Sequence, residues 1–529
     1  MNALARLPEA DLADDGGRKL DARLWVTDDL VAAVAEAVAA EYAILPAGGL
    51  TSAINAFGYE RAAIDGRFAG VVAIRPKAAA EPELVEAQRP LDALKPHQIA
   101  IDSASATVAI GAGLTFEQAN AVLEHVVGPG VRVLIDLTSV GSALAGGVLA
   151  TGGMGPLRLR PSASCVEVAL AEGQTRPRLL RGPAAAEIEG LQGWTGMASA
   201  LRLRYFETPA NEFGLVLPVH GTDGDGLADF LAALHPWTAL SLPEEGSLLA
   251  GPVDEGTIVN GIELIGRQAL ERFAAQAPDS LKAKAGNLIQ ACDYANADWL
   301  AGLTGWSNGP VDEVLGLLMN AETGTIGGVP IDFGVGFSSG AEMESFRAIR
   351  EGAPDIARSQ ARVKRPGKLK PWSISTDVNI VLAPDAAGIA RVLAVYQDYR
   401  DAVGRVFAES GAAIESSLSV YGHLSPHGLD PHHRVILTAP EGGEDGLAEA
   451  RAQIEGLKKT LLSGLVGALG AQDRITGGEK GMPSILELVK AVGGAANLPA
   501  NLRSELERAG RVLARAPANF SFRAPILPR

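Results

Sequence analysis

Residues 135–155 read IDLTSVGSALAGGVLATGGMG, and their reading decides the fold. Glycine pairs at 146–147 and 152–153 interrupt a run of small and apolar residues. An earlier glycine turn, LPAGGLTS at 45–52, has the same character. A turn built from small residues lets backbone N–H groups approach a phosphate closely. Neither turn is a P-loop, because no Gly-Lys-Ser/Thr follows, and neither has the G-x-G-x-x-G spacing of a Rossmann unit. Taken singly, each is a structural turn.

Around these turns the chain alternates strand-like and helix-like segments. Apolar spacing predicts a helix over residues 20–40 with Thr27 as its cap. AGVVAIRP (69–76), TVAIGAG (107–113), VRVLIDL (131–137), SCVEVALAEG (164–173) and ASALRLRYFETP (198–209) read as strands. TFEQANAVLEHV (115–126) is an amphipathic helix capped by Thr115. In the last third, STDVNIVLAP, a long helix, two strands joined by a histidine-rich loop, and a second long helix follow one another. That is the ferredoxin-like order. The fold class expected is α+β, and no short-period repeat is visible.

Composition bounds the function. The 529 residues carry a net charge of −16, so the broad basic face that nucleic-acid binding needs is absent. Two cysteines, Cys165 and Cys292, exclude an iron–sulfur cluster and a disulfide framework. The N-terminal stretch lacks a secretory signal pattern and no apolar run is long enough to span a bilayer, which leads to the expectation of a cytoplasmic protein.

The glycine turns gain meaning from their order. PAGGLTS (46–52), AIGAGLTFEQANAVLE (109–124), IDLTSVGSALAGGVLATGGMG, VEVALAEG (166–173) and LQGWTGMASALRLR (191–204) follow one another. In that order they resemble the FAD-binding domain of the vanillyl-alcohol oxidase and p-cresol methylhydroxylase (PCMH) type. Leu50 replaces the second glycine of the first turn. The resemblance implies a two-subdomain PCMH-type FAD-binding domain over 1–210, a ferredoxin-like α+β cap domain over 211–500, and a segment, 501–529, returning to the first. It implies FAD held by Pro46, Gly48, Gly49, Thr51, Ser52, Gly113, Asp136, Ser139, Ser142, Gly146, Gly147, Thr151, Gly152 and Gly153. No histidine lies in these loops, so the FAD is expected to be non-covalent.

The later half holds YGHLSPHGLDPHHRVIL at 421–437, with four of the chain's eight histidines. It resembles the cap of the D-lactate, glycolate and D-2-hydroxyglutarate dehydrogenase branch, whose G-H-x-G-D-G-N-x-H and E-H-G blocks stand here as GHLSPHGLDPHH and GGEKG. The resemblance implies a divalent metal, zinc or manganese, on His423, His433 and Glu479. A hairpin that ends one strand at His423 and starts the next at His433 would bring the two side by side. Whether His432 or His433 is the ligand depends on register, and His433 is preferred. Lys480 replaces the family's histidine and is a candidate base. Arg350, in FRAIREG, is the candidate carboxylate-binding arginine. The implied activity is oxidation of a 2-hydroxy acid by hydride transfer to FAD, with electrons leaving to oxygen, a quinone or a partner flavoprotein. A metal-free alcohol or lactone oxidase and a non-catalytic flavin-binding subunit are the alternatives. A homo-oligomer is expected.

Overall fold

The computed structural model describes residues 3–48 (apart from 11 and 13–18), 61–135, 141–153, 159–219, 224–269 (apart from 241 and 245), 297–331 (apart from 321), 335–337, 345–346, 367–425 (apart from 370, 377 and 382–384), 428–477 and 481–522, with 271, 279, 283 and 524. The architecture is α+β. Strands Arg23–Thr27, Gly70–Pro76 and Tyr42–Pro46 form a parallel sheet in that spatial order. Helix Leu30–Ala39 packs Val34 and Ala37 onto Ile44 and Val72 of it. The helix expected over 20–40 is therefore shorter. Residues 23–27 are β because they find a parallel partner in the 70–76 strand, and Asp29, not Thr27, caps the helix by accepting from Ala32 N. A six-stranded sheet follows, ordered 83–85, 98–102, 107–111, 197–204, 165–171, 178–181. Helix Phe116–Val126 lies on it behind a capping box of Thr115 and Gln118. Among the described residues of the predicted 131–137 strand, Val131–Arg132 pairs, with Phe206–Glu207.

The strands of the largest sheet lie within residues 211–476. Its spatial order is Val335–Phe337, Asn211–Val219, Trp299–Ser307, Thr257–Gly266, Glu415–Ser425, Gly428–Thr438, Asn379–Val381, Arg474–Thr476, and Trp372–Ser375 also pairs the 428–438 strand. All these pairings are antiparallel. Numbering the first four strands in chain order gives 4-1-3-2. The last four, 379–381 to 474–476, give the mirror order 2-3-1-4. The sheet is thus two ferredoxin-like units joined edge to edge through their second strands. Helices Gly224–Leu234 and Val311–Leu318 serve the first unit, and Ala386–Ser410 and Glu444–Ala468 the second. The expected ferredoxin-like order at the end of the chain is present, and the middle of the chain repeats it.

The four helices cover one face. Leu215, Leu217, Ile262, Leu264, Leu303, Leu418, Val420, Leu424, Leu429, Val435 and Leu437 form one buried core with them. Alternate residues point to the opposite face. At its first-unit end that face meets the first half of the chain: Trp306 and Ile258 pack with Leu134 and Phe206, and the Arg132 guanidinium lies over the Trp306 ring at 5.1 Å. The C-terminal segment packs back on the first sheet. Asn519 Nδ2 donates to Tyr42 O at 2.8 Å, and Phe520 is buried beside Val34 and Ile44.

Candidate functional site

Two places in the molecule collect the residues that carry chemistry. The first is a cradle of glycine backbone. The chain leaves the 42–46 strand through Pro46 and reaches Gly48, where an added Cβ would sit 3.4 Å from the Gly147 Cα. Gly146 faces Ala198 O, 2.8 Å from its would-be Cβ, so no side chain fits there. Gly193 abuts Pro46, whose Cγ would lie 2.8 Å from a Cβ. Three segments remote in sequence, around 46–48, 145–153 and 190–198, therefore meet through bare backbone. Helix Ala145–Thr151 ends at Gly152, left-handed at φ 68°, and Thr151 Oγ1 donates back to Gly147 O at 3.0 Å. Gly113 lies one strand away, against Lys77 O and Pro96 O. Ser142 is exposed in the turn before the helix. Gly49, Thr51, Ser52, Asp136 and Ser139 lie outside the described residues.

Sequence reading missed two residues beside the cradle. Gln192 is buried, 4% exposed, yet has φ +53°. The other non-glycine residues with positive φ among those described, Glu41 and Ala106, are not buried. Backbone strain of this kind collects at functional sites. Glu189 lies beside Gly152 and accepts from Ser162 N and Oγ. Burial pushes its carboxyl above the usual range, and the Ser162 hydroxyl and Arg160 oppose that. The glycine positions were legible; Gln192 stood inside the quoted 191–204 stretch without being singled out, and Glu189 had no motif to mark it.

The second place is the face of the large sheet turned away from the helices, where the two units join. Glu263 stands directly opposite His423, and His423 directly opposite Asp430, across three adjacent strands. His432 stands opposite Tyr421 and stacks on it, with ring centroids 4.9 Å apart. Period-two alternation puts all five side chains on the same face. Glu263 Oε1 is 3.9 Å from His423 Nδ1, and Asp430 Oδ2 is 3.5 Å from His432 Nε2. The two imidazoles meet edge to face at 5.3 Å. Glu263 and His423 are each 7% exposed, His432 2% and Asp430 0%. Thr376 O lies 3.3 Å from His432 Nδ1 and accepts its N–H, which turns Nε2 toward Asp430. Two imidazole–carboxylate pairs, shielded from water, form a group that can accept and hold a proton. Glu263 was not foreseen. Its signal was a single acid inside the apolar strand TIVNGIELIG, buried over its whole length.

His433 is placed elsewhere, which corrects the expected metal set of His423, His433 and Glu479. The strands run to Ser425 and from Gly428, well past the two histidines, and the register pairs His433 with Val420. His423 and His433 therefore point to opposite faces and cannot share one ion. His433 lies under helix 386–410, stacked on Tyr396 at 4.6 Å and edge-on to Tyr399 at 6.1 Å. Arg400 Nη1 donates to its Nε2 at 3.3 Å. Burial, then Arg400 and His432, hold its pKa well below the usual imidazole range. It packs in the core beneath that helix, on the side of the sheet away from His423. Among the described residues, no group of three or more His, Cys, Asp or Glu side chains could hold a metal ion. Glu479, Lys480, Arg350 and His427 lie outside the described residues. No described helix is long and apolar enough to cross a membrane.

No family model matches the sequence, and no curated protein matches it. Solved structures do resemble the fold. Alkyldihydroxyacetonephosphate synthase superposes with a TM-score of 0.54 at 14% identity, covering 83% of this chain and 70% of that one. Xylooligosaccharide oxidase from Myceliophthora thermophila C1 gives 0.52 at 12%, covering 97% and 93%. Berberine bridge enzyme from Eschscholzia californica gives 0.50 at 12%, covering 96% and 90%. Identities this low establish the fold, which is the PCMH type expected from the glycine turns. None of the three is named as a 2-hydroxy-acid dehydrogenase.

Proposed function

We propose that this protein is an FAD-dependent oxidoreductase that oxidises an alcohol carbon, using the paired imidazoles and carboxylates of the sheet face and no metal ion. The observation that carries the reading is the row Glu263, His423, Asp430, with His432 beside it, buried on the face turned from the helices. The glycine cradle suits the cofactor by its residue types: turns of bare backbone let N–H groups approach a pyrophosphate, and Gly48, Gly146 and Gly147, which the fold brings together, would hold it. FAD would supply the two-electron acceptor. The fold shared with a xylooligosaccharide oxidase, and with a berberine bridge enzyme of which one variant is described as a reticuline dehydrogenase, supports this class of chemistry.

The chain's own residues would do the acid–base work. Thr376 O fixes the His432 tautomer, Asp430 stabilises the imidazolium formed when Nε2 takes the hydroxyl proton, and His423 with Glu263 orients the hydroxyl. Such proton transfer contributes roughly 10²- to 10⁴-fold in rate. The metal set of His423, His433 and Glu479 would need both histidines on one side of the sheet, and the register separates them. A non-catalytic flavin subunit would have no use for two buried carboxylate–imidazole pairs.

The test uses the full chain purified with FAD. Its visible spectrum, metal content and anaerobic bleaching by a panel of primary, secondary and sugar alcohols would be read for wild type and His432→Ala. Bound flavin, no stoichiometric metal, bleaching by wild type and its loss in the variant support the proposal. Absence of bound FAD at saturating FAD, or metal-dependent bleaching, would overturn it.

A further inference from the structure

The loop between Glu189 and Trp194 touches both halves of the molecule. Its glycines meet the cradle: a Cβ on Gly152 would lie 3.3 Å from Gly190 Cα, and one on Gly193 would lie 2.8 Å from Pro46 Cγ. Leu191 and Trp194 go elsewhere, into the core of the large sheet and its helices. Between them Gln192 is buried with φ +53°, a left-handed backbone that a side chain disfavours. Such strain persists only where the surroundings over-determine it. Here they do so from two sides. On the cradle side, Gly190 N donates to Leu149 O at 3.3 Å and Gln192 N to Ala150 O at 2.7 Å, both in helix 145–151. On the other side, the last helices of the chain close on the loop. Met482 N, at the start of helix Met482–Ala491, donates to Gly190 O at 3.4 Å. A Cβ on Gly481 would lie 3.1 Å from that same oxygen. Arg508 of helix Ala500–Leu513 donates through Nη1 to Ala186 O at 3.4 Å and Glu187 O at 3.2 Å, and Ala186 O also accepts from Glu189 N. Val512, one turn further on, packs against the cores of both the six-stranded and the large sheet.

We propose that Arg508 is a positioning residue for the cofactor: it holds the 189–194 loop in its strained form, and that form keeps Gly190 and Gly193 against the cradle that takes FAD. The inference rests on the FAD reading and adds how the cradle is kept assembled. Loss of the Arg508 contact lets Gln192 relax, and the glycines on either side of it withdraw from Gly152 and Pro46. The strain gives the mechanism a signature. Glycine adopts positive φ at no steric cost, so a Gln192→Gly loop needs no anchor to keep its shape. That substitution should therefore make Arg508 dispensable for cofactor binding.

The FAD dissociation constant of the full chain is measured by equilibrium dialysis, alongside urea unfolding, for wild type, Arg508→Met, Arg508→Lys, Gln192→Gly and the double variant Gln192→Gly with Arg508→Met. The Arg508 side chain is 28% exposed, so its variants should fold. Arg508→Met should weaken FAD binding about tenfold, the step that one charge-assisted contact gives. Arg508→Lys should recover part of that loss. Gln192→Gly should bind FAD as wild type does, and the double variant should regain wild-type affinity. A general loss of stability would not produce this pattern: Val314→Ala, in the buried face of helix 311–318, should lower the unfolding midpoint and keep FAD affinity. A double variant no better than Arg508→Met overturns the proposal. So does a loss of affinity in Gln192→Gly alone, which would assign the function to that side chain and not to its strain. Equal affinity in wild type and Arg508→Met sinks this inference and leaves the oxidoreductase reading standing, whereas a wild-type chain that takes up no FAD sinks both.

Discussion

The two ferredoxin-like units of the large sheet have one topology and opposite uses of the face turned from their helices. Both place apolar residues toward their helices: Leu215, Leu264 and Leu303 in the first, Leu418, Leu424 and Val435 in the second. On the other face they diverge. The first unit carries Val216, Pro218, Leu300 and Gly302 around Glu263. Gly302, opposite Glu263, has no room for a side chain, because the Phe346 ring would lie 2.8 Å from its Cβ. The second unit carries Tyr421, His423, Asp430, His432 and Arg434. The helices scale with this difference, 11 and 8 residues in the first unit against 25 and 25 in the second. Buried polar groups need a rigid and well-packed support, and the long helices supply the apolar area behind the hairpin. A fold can thus be used twice, once as a wall and once as a platform for chemistry.

The comparison can be attacked at its strongest point first. His432→Ala should lower the rate of flavin reduction by roughly 10²- to 10⁴-fold, with little loss of FAD affinity. Val216→Ala, on the same face of the first unit, should change that rate by less than about tenfold. Rapid-mixing kinetics on both variants would check this, and comparable losses would mean that the two units are not divided in this way.

Next is the hairpin's geometry. Gly428 has φ +103°, and an added Cβ would lie 1.8 Å from Ile380 O. Gly428→Ala should cost about 3 kcal/mol or more, read by urea unfolding. Gly316, with open space around it on the 311–318 helix of the first unit, should accept alanine without loss.

His433 offers a finer contrast with its neighbour. Its folded-state pKa is depressed, so the unfolded chain binds a proton that the native chain refuses. Stability should fall as pH drops below the ordinary histidine value near 6.5, by up to about 1.4 kcal/mol per pH unit from this group. His433→Gln should flatten that slope and cost about 1–3 kcal/mol at pH 7. An unchanged pH profile would show that His433 is not buried and neutral. The smallest effect concerns the second unit's support: Arg451→Ala should remove about 0.5–1 kcal/mol of stability through the lost contact with Trp372 and leave the rate unaltered.

The division between histidines was partly legible in the sequence. In LSVYGHL, Leu418, Val420 and Leu424 alternate with Ser419, Tyr421 and His423, and in LDPHHRVIL, Leu429, His433, Val435 and Leu437 alternate with Asp430, His432 and Arg434. Period two alone sorts His432 with the polar file and His433 with the apolar one. Strand ends placed at the histidines hide this, because a short hairpin would bring His423 and His433 together, whereas the strands run on to Ser425 and from Gly428. The glycine cradle was legible because close backbone approach leaves few residue choices. The first ferredoxin-like unit was not, since its short helices and bulged strand give weak periodicity. Glu263 was invisible for another reason: its partner lies 160 residues on in the chain, and no local pattern links two strands that far apart.

One feature bears on what changes this chain can accept. Adjacent residues of the 428–438 strand serve opposite sides of the sheet, so parity along the hairpin is itself information. A single inserted or deleted residue between Ser419 and Arg434 would exchange the two files, driving Asp430 and His432 under the helices and lifting Leu429 and Val435 into the polar strip. Point replacements there would be graded in effect, but changes of length would not. Sequences that keep this site should therefore vary in composition through the hairpin while holding its residue count, and insertions should accumulate in the connections between strands.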